Sequence, residues 1–203
     1  MANFEQIATQ PFFYLFVVFS LVLTWGYFRG RRRNKELSMS AFENLLRLFK
    51  PDDQKFTDIG GAIGYHANLY IKKKKAFLTR VDATITMLPR HALLYLPISR
   101  VIRKYDRLFV ELHLKNRPAE EWHLLEEGYA RFSRTKLTNR SMLHMEKVDW
   151  GGYAFDLLYE SEQLRQKLLD FMAQNSATKG IRHIALIPHQ KKCFVFIISK
   201  KGE

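Results

Sequence analysis

A chain of 203 residues has room for one domain with an appendage and for a sizeable core. With 47% hydrophobic and 14% aromatic residues it is no disordered chain, and its only cysteine, Cys193, excludes an internal disulfide and fits a reducing compartment. The 33 Lys and Arg against 20 Asp and Glu, formally +13, point to a polyanionic partner, either anionic lipid or nucleic acid.

The charge is unevenly spread. Residues 1–28 contain no Lys or Arg, and Glu5 is their only charged side chain. Residues 12–28 form an uncharged run of 17, which would rise roughly 26 Å as a helix. Extended back through Ile7, Ala8 and Thr9, it reaches the length that spans a bilayer. Pro11 can stand in its first turn, and Trp25 and Tyr27 suit the headgroup layer. A cleaved signal carries positive charge before its apolar run, as does a twin-arginine signal; here the charge follows. A buried core helix without a polar face would need cover all round. The segment therefore reads as one uncleaved transmembrane helix. Arg29, Arg31, Arg32, Arg33 and Lys35 follow it directly, so the positive-inside rule puts the N-terminus outside and the C-terminus in the cytosol. The membrane is that of the endoplasmic reticulum or a prokaryotic plasma membrane. Each of these five residues at an anionic headgroup layer adds on the order of 1 kcal/mol of attraction.

Beyond the span the sequence predicts a mixed α+β domain. Phe42, Leu45, Leu46 and Phe49 fall at helical spacing before Pro51, with Ser38 or Ser40 as a cap. This amphipathic segment can lie in the membrane interface or pack on the domain. Asp52-Asp53 suits a turn. Residues 65–71 and 77–88 read as strands; Val81, Ala83, Ile85 and Met87 alternate with Asp82, Thr84 and Thr86. A helix is expected over 89–103, bent at Pro97. Strand alternation returns over 108–114, and residues 122–129 and 137–148 are weaker strand candidates. Residues 153–173 suggest a helix with Phe155, Leu158, Leu164 and Leu168 in its stripe, and 184–187 with 193–198 a closing hairpin around Pro188-His189-Gln190-Lys191. The expected organisation is an extracytosolic stub and span over 1–28, a basic juxtamembrane segment with its amphipathic helix over 29–50, and an α+β cytosolic domain over 51–203.

Catalytic signatures are missing. Seven histidines show no helical metal spacing, one cysteine cannot begin a zinc ribbon, and no nucleophile elbow, Walker loop or zincin motif occurs. No enzyme, metal or cofactor is expected. His183 and His189 read as parts of a solvated hairpin, and Glu126-Glu127 as a surface patch. Gly60-Gly61-Ala62-Ile63-Gly64 contains the G-x-x-G spacing with which KH modules clamp nucleic acid, without the KH surroundings; a flexible strand entry is the simpler account. Phe194 and Phe196 on one strand face could stack bases, but such alternation is usually core.

The basic clusters carry more information. Lys72, Lys73, Lys74 and Lys75 join two extended segments as a solvated turn. Arg90, Arg100, Arg103 and Lys104 fall on or beside the segment after Pro89, and further lysines dress the C-terminal hairpin. Such residues can neutralise RNA phosphates with salt-sensitive affinity, although a solvated face explains any single cluster more simply.

The order of these features resembles the calumin family, the coiled-coil-domain-containing subunits of the PAT complex of the multipass translocon. The likeness begins at Tyr27-Phe28-Arg29-Gly30-Arg31-Arg32 and continues in Leu88-Pro89-Arg90-His91-Ala92-Leu93-Leu94, where the family has an L-x-R-x-x-L-L helix start. Residues 100–114 follow with Asp106 and an alternating strand, and residues 153–170 and Ile181-Arg182-His183-Ile184 occupy similar relative places. The family's acidic luminal region and long basic coiled coil have no counterpart here, so this would be a minimal version, without the ribosome contacts of that tail. The resemblance implies an accessory for inserting or folding multispanning membrane proteins, beside the Sec translocon and the ribosome, its domain touching rRNA and its span pairing with a small hydrophobic partner similar to Asterix. The residues leave two other functions open: a membrane-anchored subunit of an unrelated complex that uses its basic surface for anionic lipid, and a membrane-associated enzyme with an unrecognised cleft.

Overall fold

In the computed structural model, residues 10–72, 77–102, 105–129, 142–176, 178 and 180–199 are described. The expected α+β class is what the chain adopts: a long N-terminal helix followed by a nine-stranded antiparallel sheet with further short helices.

Helix α1 runs unbroken over Pro11–Phe49, 39 residues and so about 58 Å. The apolar run and the amphipathic segment are one helix, because Arg, Lys, Glu and Leu across 29–48 are all good helix formers and nothing between them breaks the backbone. Neither Ser38 nor Ser40 caps a second helix. Ser38 is buried mid-helix, its hydroxyl donating to the Lys35 carbonyl at 2.8 Å. The end is sharp: Lys50 adopts a left-handed φ of 44°, its N–H closes on Leu46 O, and Pro51 cannot continue.

The sheet order is β1-β2-β3-β4-β9-β8-β5-β7-β6. The first four strands, Asp53–Asp58, Gly64–Tyr70, Leu78–Thr86 and Asp106–Leu114, form a meander. The last four in space come from β5 (Trp122–Glu126), β6 (His144–Trp150), β7 (Tyr153–Tyr159) and β8 (Ile181–Ile187). The C-terminal strand β9 (Lys192–Ser199) lies between β4 and β8 and joins the halves. Asp53, expected in a turn, instead begins strand β1, an exposed edge of mostly polar residues held by its six-residue register with β2 and by Phe56 against Phe42 of α1. Gly60-Gly61 belongs to the β1–β2 turn, with Gly61 at φ +62° where a side chain would be strained.

Two expected helices change. Residues 153–159 are strand β7, paired with β6 through a Gly151-Gly152 turn at φ +60° and +79°. Phe155, Leu157 and Tyr159 alternate toward one core face, and the helix α3 begins only at Glu162 and runs to Gln174, capped by Ser161 accepting from Leu164 N–H. Likewise residues 89–95 are turns, and helix α2 covers only Leu96–Ile102. Pro97 stands in its first turn because an interior proline would leave a carbonyl unbonded. Residues 127–129 leave the strand, and the part of the 137–148 candidate before residue 142 lies outside the described residues.

One face of the sheet carries both helix-covered cores. Phe42, Leu45, Leu46 and Phe49 of α1 lie on Ala67, Leu69, Val81, Ala83, Ile85 and Val110; the amphipathic end of α1 thus packs on the domain instead of in the membrane interface. Leu168 and Met172 of α3 cover Leu124, Trp150, Phe155, Leu157 and Ile184, and Val195 touches both clusters.

Candidate functional site

Among the described residues one helix, α1, is long and apolar enough to cross a membrane, and its apolar part is uncovered: Phe12, Leu15, Phe16, Leu21 and Phe28 are all exposed. What decides how the domain hangs from that helix is a row of residues four apart. Gly26, Gly30, Asn34, Ser38 and Phe42 are the buried residues of α1, and they form one stripe along its axis. A Cβ on Gly30 would stand 2.1 Å from Arg90 O and 2.4 Å from His91 N, so only glycine lets the loop after β3 lie on the helix backbone. One turn earlier, the Leu93 side chain fills the space above Gly26.

One turn later the contact becomes polar. Asn34, fully buried, donates from Nδ2 to Ala62 O (2.7 Å) and Leu88 O (2.9 Å) and accepts at Oδ1 from Arg90 Nη1 (2.8 Å). Its amide hydrogens and its carbonyl are thus all engaged. Arg90 forks onto Asp106, with Nη1–Oδ1 at 3.0 Å and Nη2–Oδ2 at 2.7 Å, and Asp106 Oδ1 also accepts the Leu88 N–H at 2.8 Å. Helix, loop and strand β4 are tied at one point.

The chain matches no protein-family profile and no curated protein.

The sequence-derived contacts divide. Arg29, Arg31, Arg32, Arg33 and Lys35 are all exposed on α1, off the buried stripe. Arg29 lies over the Trp25 ring at 5.3 Å, and Arg32 and Arg33 pair with Glu36 at 2.9 and 3.7 Å. Of the proposed RNA contacts, Lys72 and Arg100 are exposed, whereas Arg90 is half-buried and committed to Asn34 and Asp106. Lys73, Lys74, Lys75, Arg103 and Lys104 lie outside the described residues. The signal for Gly26, Gly30 and Asn34 in the sequence is their four-residue spacing, which the apolar run and the basic cluster around them mask.

The opposite face of the sheet holds a second polar system. Asp82 accepts from Asn68 Nδ2 (2.7 Å), pairs with Arg80 Nη2 (2.7 Å) and meets His113 Nε2 (2.7 Å). Burial pushes its carboxyl up, but the hydrogen bonds from Asn68 and His113 and the Arg80 charge outweigh this and hold it below the usual range. Asp82, Glu111 and His113 stand close enough for a metal ion, yet Arg80 and Lys192 (2.7 Å from Glu111) already occupy the carboxylates. The arrangement is a charge-balanced ladder across β3, β4 and β9.

His183 is buried, not in a solvated hairpin, with Nε2 3.3 Å from His123 Nδ1 and its ring edge-on to Phe194. Phe196 is likewise core, stacked on Phe109 at 4.4 Å. Glu126 is no simple surface patch either; it pairs with Arg182 at 3.3 Å. Burial, helped by His123, pushes His183 down to about 3, and burial alone pushes the Cys193 thiol up to about 11. Cys193 therefore stays protonated at neutral pH. Folded His183 stays neutral while the unfolded side chain takes a proton near pH 6.5, so the unfolded chain binds more protons between about pH 6.5 and 3. Stability falls as pH drops through that window, by up to about 1.4 kcal/mol per pH unit from this residue. Denaturation of the detergent-solubilised chain at pH 7 and pH 5 should show that slope, and His183→Gln should flatten it.

Proposed function

We propose that the chain is a single-span accessory of membrane-protein biogenesis that works beside the Sec translocon, holding or orienting multispanning clients without performing catalysis. Its N-terminus lies outside, its sheet domain faces the cytosol and the ribosome, and its span pairs with a small hydrophobic partner similar to Asterix. The observation that carries this assignment is the lock between span and domain. Leu88, Arg90 and Leu93 of the L-x-R-x-x-L-L segment, with Gly30 and Asp106, are residues through which the resemblance to the calumin family runs, and they are among those that hold α1. A domain fixed to its span in this way keeps one orientation toward anything docked at the membrane surface, which suits an accessory that must align with a translocon. The positive-inside rule supports the orientation, with five basic residues after the span and none before it.

A second function has its own support. The exposed arginines of α1 surround the membrane end of the helix and suit anionic lipid, as a lipid-bound subunit of an unrelated complex would need. Ribosome co-sedimentation of the full-length protein in mild detergent, over a range of salt, separates the two. Binding should weaken with salt, and replacing Lys72, Lys73, Lys74 and Lys75 by Ser should flatten the log–log slope by roughly two to four units, since each phosphate neutralised contributes up to about one. No ribosome binding at low salt, with retention on anionic vesicles, would leave the lipid function standing.

A further inference from the structure

We propose that residues 93–102, the loop that ends in α2, form a second membrane contact that lies in the bilayer interface beside the span. This rests on α1 crossing the membrane.

The first argument is depth. Residues 91–95 and Leu23, Thr24, Tyr27 and Phe28 of α1 line one open groove, closed at its base by the Leu93 side chain on Gly26 and by the His91 ring edge-on to Tyr27 at 5.7 Å. Gly26 lies three residues, about 4.5 Å along the axis, before Arg29. A segment packed against α1 there cannot stand clear of the membrane surface if the helix is embedded to the arginines.

The second argument is the inversion of α2. In water, a short helix on a domain turns its apolar residues inward. Here Ser99 is the buried residue, 1% exposed, its hydroxyl returned to the Leu96 carbonyl at 2.8 Å. Leu94, Tyr95, Ile98, Val101 and Ile102 point outward instead, Val101 at 76% and Ile102 at 68% exposure. Fully burying one such side chain is worth about 1.5–3 kcal/mol, so this face wants an apolar medium. Arg100, exposed on the same helix, supplies the cationic group that an interfacial helix sets among anionic headgroups. The patch is continuous with the uncovered apolar surface of α1, so the lipid that surrounds the span is the occupant.

The test uses the full-length chain with Cys193 replaced by Ser, reconstituted in vesicles of phosphatidylcholine and phosphatidylglycerol, with no other protein present. An environment-sensitive fluorophore is placed on single cysteines at Ile98, Val101, Val22 or Lys167, the last on the exposed side of α3. Lipids carrying a nitroxide just below the headgroup should quench positions 98 and 101 by roughly half, as expected for an element buried to the headgroup–acyl boundary. Position 22 should be quenched by a deep nitroxide, and position 167 by neither. Quenching at 22 with 98 and 101 behaving like 167 would overturn the second contact while leaving the span intact. No quenching at 22 would remove the span itself, and the proposal with it.

Discussion

Gly30→Ala should detach the sheet domain from the helix. The new methyl would meet Arg90 O at 2.1 Å and the Arg90 carbonyl carbon at 2.2 Å, backbone atoms that no side-chain rotation can move. The helix and the loop must separate, and the bonds of Asn34 one turn away lengthen with them. Overpacking of this kind costs up to about 3 kcal/mol, against which the better helix propensity of Ala returns about 1. A sharper readout is protease access. In nanodiscs, trypsin should cut the variant after Arg90, in the loop released from α1, several times faster than the wild type, while α1 stays helical. Gly26→Ala is the comparison: the atoms nearest its methyl all belong to the Leu93 side chain, which can rotate away, so the effect should be mild. Equal cutting of Gly30→Ala and wild type would show that the close approach does not hold the domain.

Removing either end of the polar knot should also be severe. Asn34→Ala leaves Ala62 O and one Arg90 hydrogen without that partner in a buried site and leaves Leu88 O with only the Arg90 N–H, a loss of about 3 kcal/mol. Asp106→Ala strands a half-buried guanidinium and the Leu88 N–H, with a similar cost of about 3 kcal/mol. Because both act on Arg90, the double variant should cost less than the sum by about 1 kcal/mol or more. Guanidinium denaturation of the four proteins in the same detergent measures the cycle. Strict additivity would mean that Arg90 does not couple the helix to β4.

Several elements were legible because a local rule agreed with the final packing. Val81, Ala83 and Ile85 alternate in sequence and do so in the sheet, since β3 has one face against α1 and the other against polar neighbours. The Pro188–Gln190 turn between β8 and β9 was equally plain. Residues 153–159 are ambiguous in sequence because Phe155 and Leu158 also fit a helical stripe, and only the Gly151-Gly152 pair before them marks a hairpin arm. Strand β1 had no local signal at all: five of its six residues are polar, and only pairing with β2 makes it a strand.

By itself, the sequence determined the long apolar segment and its charged boundary, because length, hydropathy and flanking charge are additive properties of a short segment that need no partner. It also determined that strands and helices would mix. Only the tertiary structure decided what the small residues at 26, 30, 34 and 38 were for, that Arg90 belongs to a buried knot and not to a basic surface, and that α2 wears its apolar side outward. Those outcomes depend on which backbone approaches which. Gly30 is meaningful only once Arg90, 60 residues later, is laid across it, and a sequence pattern records such a contact no more than it records the fold that makes it.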